Sequence, residues 1–328
     1  MSGGYNERVR QLQTARWWLV IILAAGLSAC EITPSQTPAK PTPCMPDAGN
    51  ANPYNSSVHE WVGKIYGDSG IAGGSSPGNL ELQVLDARHK ALKFLIEETF
   101  RWTDIRTIRL STSSEVHIII TYIHPELIQA AYLSEILEKK YVVPDIDAHV
   151  DQVISEVARR EELLFMMTVI PHHRDPFNMS KNKLMIPVEK MNLTNSENIP
   201  VPPSHYDPNL DQPIDTTQEP VFGLVAYPIG IQSNSRCLWV LDNTYNTNIV
   251  IVTNTLLIDG VNGDSHAWTI RYKPLIDLGI PKGLPDSSQP NYDIRQLPSA
   301  TIPPSNINDA DFWRDYSRFI WKQAVYGK

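Results

Sequence analysis

Two adjacent histidines, His172 and His173, are the residues whose types best suit proton transfer or metal binding. They stand between Pro171 and the charged pair Arg174-Asp175. Imidazole titrates near neutral pH and is a common metal ligand, so both are candidate site residues. Neighbouring side chains of an extended strand point to opposite faces, however, which makes them a poor ligand pair for one ion. The pattern favours a polar surface loop.

Acidic and amide side chains are concentrated at two further places. Asp264 closes the stretch Asp259-Gly260-Val261-Asn262-Gly263-Asp264, whose oxygens suit a hard cation. Because Asn-Gly between two β-runs is typical of a tight turn, we interpret this stretch first as a turn. Residues 145–151 with Glu156 imitate part of a calcium-binding loop, but Val150 stands where that loop needs a glycine. We expect no metal at either place.

Several short sequence motifs that are typical of catalytic or metal sites are absent from this chain. It contains no HExxH motif, no phosphate-binding Walker loop and no GxGxxG motif. It also has no CxxC pair and no Cys/His cluster of the kind that holds structural zinc. No catalytic residue and no cofactor is therefore predicted, and an active site would have to be assembled from distant positions.

The chain has three cysteines, at positions 30, 44 and 237. In an oxidising compartment Cys44 and Cys237 can pair and fasten the N-terminal segment to the domain. The alternative is two unrelated thiols with Cys237 buried, since a disulfide needs a geometry that sequence does not give.

The N-terminal segment has the order of a secretory signal. Three arginines within residues 1–16 precede the apolar run 17–27, which leads into Leu27-Ser28-Ala29-Cys30. A run of this length is too short for a membrane-spanning helix, which needs about 20 apolar residues, and small residues behind it are typical of a cleaved signal. The four residues resemble a bacterial lipobox. The resemblance implies a signal peptide over 1–29, cleavage after Ala29 and diacylglycerol on Cys30.

Two alternatives to that interpretation stay open, an uncleaved N-terminal anchor helix and cleavage without lipidation. If the lipobox functions, the mature protein is extracytoplasmic and anchored by lipid to a bacterial membrane, on the cell surface or the periplasmic face. Its expected partners are then the membrane, through the lipid, and another envelope protein.

The net negative charge of the chain argues against some classes of binding partner. The chain carries 28 basic and 36 acidic side chains, and removal of the three arginines and one glutamate of residues 1–29 leaves 25 and 35, a formal charge of −10. Phosphate-rich partners need clustered Lys and Arg, so nucleic acid is not expected. An anionic lipid surface would repel the domain, which makes a spacer useful.

The elements that would position these residues divide the chain into five parts. Residues 1–29 are the signal peptide, and 30–79 are a tether rich in Pro, Ser and Gly. Apolar spacing predicts an α+β segment over 80–160, with a helix over 80–100, a hairpin of 106–110 with 116–122, and two further helices. Residues 161–300 are a β-domain, and 301–328 a helix docking on it.

Short β-runs separated by turn signals are typical of an antiparallel, immunoglobulin-like sandwich, so the predicted fold class is α+β with such a sandwich. The predicted strands are 163–170, 184–193, 221–231, 237–241, 249–258 and 267–272. Residues 195–220 form a long, Pro-rich, acidic connection. Long loops on a β scaffold often carry binding function, although an excursion without a role is the alternative.

Two functions follow from these features. The first is a lipid-anchored binding or envelope-assembly module without catalytic activity, and the second is an extracytoplasmic hydrolase with a site built from distant residues. The missing signatures favour the first. A deep pocket lined by His172, His173 or Asp264 would favour the second.

Overall fold

A computed structural model describes residues 41–46, 77–128, 130–131, 134, 162–173, 183–194, 197–215, 218–241, 248–253, 256–271, 303–309 and 311–326. The helices are α1 (Pro77–Arg101) and α2 (Phe312–Tyr326), and the strands are β1 (Thr103–Arg109), β2 (Ser114–Tyr122), β3 (Glu162–His173), β4 (Lys183–Met185), β5 (Met191–Thr194), β6 (Pro200–Val201), β7 (His205–Tyr206), β8 (Ile214–Asp215), β9 (Val221–Pro228), β10 (Gly230–Ser233), β11 (Arg236–Trp239), β12 (Ile249–Thr253), β13 (Leu257–Ile258), β14 (Val261–Asn262) and β15 (His266–Ile270). Residues 125–128, 130, 131 and 134 are also helical.

A five-stranded antiparallel sheet in the order β1-β2-β3-β9-β7 forms the centre of the structure. Strand β2 lies between β1 and β3, and every one of its nine residues is buried. A strand covered on both faces needs apolar side chains on both, which explains the unbroken run Ile118-Ile119-Ile120. Strands β2 and β3 pair over nine residues, so they are direct neighbours in the sheet although a long stretch of sequence separates them.

A four-stranded sheet, β15-β12-β5-β6, covers one face of the five-stranded sheet. The indole Nε1–H of buried Trp268 on β15 donates to the Ile118 carbonyl on β2 at 3.0 Å. The hydroxyl of Tyr227 on β9 donates to the Met191 carbonyl on β5 at 3.3 Å. These bonds satisfy polar groups of large buried rings, as burial of tryptophan and tyrosine requires.

Helix α2 covers the opposite face. Its Tyr316 hydroxyl lies 3.1 Å from the Thr121 hydroxyl of β2, and the Phe319 ring meets Phe222 of β9 edge to face at 4.8 Å. Helix α1 packs beside it, with Phe100 against Trp313 at 4.8 Å. The aromatic stripe of the C-terminal helix therefore docks on its own domain, as its spacing predicts.

The structure differs from the predicted strands where proline or a turn interrupts pairing. The predicted strand 184–193 is two strands, β4 and β5, because Pro187 leads into a 3-10 turn at Val188–Lys190. The predicted strand 221–231 divides after Pro228 into β9 and β10. The connection 195–220 carries β6, β7, β8 and a 3-10 turn, so its description as a plain loop is wrong.

The fold is α+β and rich in antiparallel sheet. Within the described ranges, no helix has the length and apolar character needed to cross a membrane. The signal peptide, Cys30, the calcium-like stretch 145–156 and the helix predicted near 147–160 lie outside those ranges.

Candidate functional site

His172 lies near the end of β3, half-buried, and pairs in register with Glu115 of β2. Its ring centroid is 5.9 Å from that of His117, which lies two residues beyond Glu115 on the same face of β2. The structure thus brings one predicted site residue beside a buried acid and a second imidazole.

Glu115 and His117 lie too far apart to form a hydrogen-bonded proton-transfer pair. His117 Nε2 is 3.9 Å from a Glu115 carboxylate oxygen, which is beyond hydrogen-bonding range. His117 Nδ1 is engaged instead by the Thr107 hydroxyl of β1 at 2.9 Å. Glu115 and His117 are 5% and 3% exposed. The group therefore connects three neighbouring strands, β1, β2 and β3.

The other two predicted candidates lie apart from it. His173 is the last residue of β3 and pairs with Ser114. Asp264 is exposed in the connection from β14 to β15. Among the described residues, no group of three or more His, Cys, Asp or Glu is placed to hold a metal ion.

A buried charged cluster at the end of α1, here called the Glu98 cluster, was not predicted. Glu98 is fully buried, and its carboxylate accepts hydrogen bonds from Arg101 Nη1 at 2.5 Å and from Trp102 Nε1 at 3.1 Å. Burial raises the pKa of Glu98 to about 8, against the attraction of Arg101, which lowers it. The negative charge of Glu126 raises it further.

His124 belongs to the same cluster. Its ring stacks on Trp102 with centroids 4.0 Å apart, and its Nδ1 accepts a hydrogen bond from the Glu126 backbone N–H at 3.2 Å. Accepting at Nδ1 requires the neutral ring with its proton on Nε2. Burial, and then the nearby Arg101 cation, lowers the pKa of His124 to about 3. The imidazole is therefore uncharged at neutral pH.

The Glu98 cluster makes the free energy of unfolding depend on pH at neutral to alkaline values. Between pH 6.5 and 8, Glu98 is ionised in the unfolded chain but mostly protonated in the fold, whereas His124 is neutral in the fold and partly protonated in the unfolded chain only at the lower end of the window. The glutamate dominates, so rising pH favours the unfolded state, and we expect the free energy of unfolding to fall by about 1 kcal/mol over this window. Denaturant titrations at several pH values measure the slope. Glu98→Gln should flatten it and exposed Glu189→Gln should not; equal slopes in all three proteins would contradict the assignment.

A signal for the Glu98 cluster is present in the sequence. Ala91, Leu95, Glu98 and Trp102 follow one another at intervals of four, three and four, the spacing of one helix face. A glutamate at an inward position of that face indicates a buried charge that needs a partner.

Residues 41–46, here called the clamp segment, lie along β10. The Cys44 N–H donates to the Gly230 carbonyl at 3.0 Å, and the Gln232 N–H donates to the Thr42 carbonyl at 2.8 Å. Cys44 and Cys237 form a disulfide with a Cα–Cα distance of 5.9 Å. A side chain at position 230 would meet the Cys44 carbonyl at 2.7 Å, so glycine is needed for this close approach.

An open cleft of about 450 Å³, the 207–222 cleft, lies where the connection 195–220 returns to the sheet at β9. Asp207 fixes its base, because the carboxylate accepts the Leu224 N–H at 2.6 Å while the Asp207 N–H donates to the Leu224 carbonyl at 2.9 Å. Asp207 thereby continues the pairing that β7 makes with β9. Gly223 allows the approach, since a Cβ there would lie 2.6 Å from that of Asp207.

The lining of the cleft combines flat apolar groups with uncharged polar ones. The apolar groups include the rings of Pro213, Pro220 and half-buried Phe222. The polar groups include the amides of Asn209, Gln212 and Gln218, which are all exposed. Its size is within the range of small-molecule sites, and this mixture of surfaces is typical of them.

Comparison of the chain with models of protein families, with curated proteins and with solved structures finds no match. The functional conclusion therefore depends on the residues described above.

Proposed function

We propose that this protein is a lipid-anchored extracytoplasmic binding module, held at a bacterial membrane through Cys30. The observation that carries the proposal is the Cys44–Cys237 disulfide, which ties the clamp segment to β11. Structural disulfides persist in oxidising compartments and are rare in the cytosol. Such a bond shortly after the lipobox-like residues 27–30 supports export and anchoring together.

The 207–222 cleft supports the binding role. It is built by a connection that short strands and a 3-10 turn hold against the sheet, which is how β scaffolds present binding loops. Two of the buried titratable groups, by contrast, are engaged inside the domain, His117 by the Thr107 hydroxyl and Glu98 by the Trp102 indole N–H. The partners proposed are the membrane, through the lipid, and a ligand or second envelope protein at the cleft.

We also propose that the five-stranded and four-stranded sheets form an immunoglobulin-like sandwich. Hydrogen bonds from Trp268 and Tyr227 between the five-stranded and four-stranded sheets support face-to-face packing.

Replacement of Cys30 by alanine should abolish anchoring. We expect Cys30→Ala to incorporate no labelled fatty acid and to accumulate as uncut precursor, because only a thiol at this position can accept the lipid. Metabolic labelling and gel mobility measure both effects. Cys44→Ala is the matched control and should label normally, since its thiol belongs to the disulfide. Normal labelling and processing of Cys30→Ala would refute the anchor.

A further inference from the structure

The polar groups of the 207–222 cleft suit a ligand with many hydroxyl groups. An amide side chain donates and accepts hydrogen bonds at once, as each hydroxyl of a sugar does. Gln212 and Asn209 are exposed in the lining. Gln218 uses its oxygen to accept the Asp215 N–H at 3.3 Å, a bond that restrains the side chain and does not use its amide hydrogens.

The apolar groups of the cleft suit the carbon face of a sugar ring. Phe222 is fixed from behind by its edge-to-face contact with Phe319 of α2, with centroids 4.8 Å apart. The rings of Pro213 and Pro220 add rigid apolar surface that loses little side-chain entropy on binding. Rigid, preformed walls lower the entropic cost of holding a weakly hydrophobic ligand.

Charge favours an uncharged ligand. The described lining includes the Asp207 carboxylate and no Lys or Arg, and the whole chain has a formal charge of −8. A phosphate or carboxylate ligand is favoured by a cation, which the described lining does not include, and the overall negative charge repels it.

We propose that the 207–222 cleft binds a neutral oligosaccharide. The amides of Gln212 and Gln218 hydrogen-bond its hydroxyl groups, and the rings of Phe222 and the two prolines contact its apolar face. This assignment rests on the proposed function as a binding module and adds the ligand class and the residues that recognise it.

The test is calorimetric titration of the full-length chain, extracted from membranes in a detergent without a sugar headgroup. The neutral probes are maltotetraose, cellotetraose and fully N-acetylated chitotetraose, and the comparators are tetragalacturonate and a proline-rich decapeptide. We expect a neutral oligosaccharide to bind. Gln212→Ala and Gln218→Ala should each weaken that binding about three- to tenfold, the effect of losing one or two hydrogen bonds. Gln232→Ala, an exposed glutamine on β10, should bind like the wild type.

Several outcomes would overturn the proposal. These are binding of none of the neutral probes, binding of the anionic sugar or the peptide alone, and unchanged affinity in both glutamine variants. Circular dichroism checks that the variants fold, and if Gln218→Ala does not, exposed Gln212→Ala decides. Fatty-acid labelling of Cys30 is measured on the same protein, so failure of sugar recognition is distinguishable from failure of the anchor.

Discussion

Replacement of Arg101 by methionine is expected to lower the free energy of unfolding by about 3 to 5 kcal/mol at pH 9. At that pH Glu98 is ionised and fully buried, and the hydrogen bond from Arg101 at 2.5 Å is its main compensation. At pH 6 the loss should be smaller, about 1 to 2 kcal/mol, because Glu98 is then protonated in the fold and leaves no buried negative charge without its partner. Chemical denaturation at the two pH values measures the difference.

A double variant separates the charge from the packing. Glu98→Gln combined with Arg101→Met removes both charges, so its stability should exceed that of Arg101→Met at pH 9 and should change little with pH. Arg106→Met is the matched control, since Arg106 is half-exposed and its contact with Asp104 at 3.3 Å is a surface ion pair. Surface pairs contribute little. An equal loss at both pH values would contradict the role assigned to Glu98.

Replacement of Cys44 by serine is expected to lower the free energy of unfolding by about 2 to 5 kcal/mol. The bond to Cys237 closes a loop with a sequence separation of 193, and so long a loop restricts the unfolded chain strongly. Cys237→Ser and wild-type protein treated with reductant should show losses of similar size. Denaturant titration with and without reductant is the measurement.

Met45→Ser is the control for this effect, because Met45 is exposed in the same clamp segment and makes no covalent bond. It should unfold like the wild type. Stability of Cys44→Ser equal to that of untreated wild-type protein would show that the disulfide adds nothing.

The helices and strands whose residues follow a clear local pattern could be predicted from sequence. The helix predicted over 80–100 is observed as α1 because its apolar residues recur at helical spacing, and the predicted hairpin is observed as β1 and β2 because two β-branched stretches flank a serine-rich turn. The ends of strands with mixed apolar and polar patterns were predicted less accurately. Pro187 and Pro228 divide two predicted strands, since neither can donate to a ladder and the chain turns nearby.

The candidate site could be predicted only in part. The composition of residues 195–220 suits either a binding loop or an excursion without a role, and their short strands depend on pairing with β4, β5 and β9, which no local pattern reveals. His172 was identified by residue type, but Glu115 and His117 become its neighbours only through the register of β2 with β3. The Glu98 cluster also includes His124, which follows the β1–β2 hairpin in the chain. No local pattern reveals that its ring stacks on Trp102.

The clamp segment changes how far the domain can move from the bilayer. Residues 31–57 of the predicted tether would span on the order of 80 Å if they ran freely and fully extended. Cys44 stands fourteen positions after Cys30, and at roughly 3.1 Å per residue that distance is only about 43 Å. If Cys30 carries the lipid, the disulfide limits how far from the membrane the domain can lie, because it joins the clamp segment to β11.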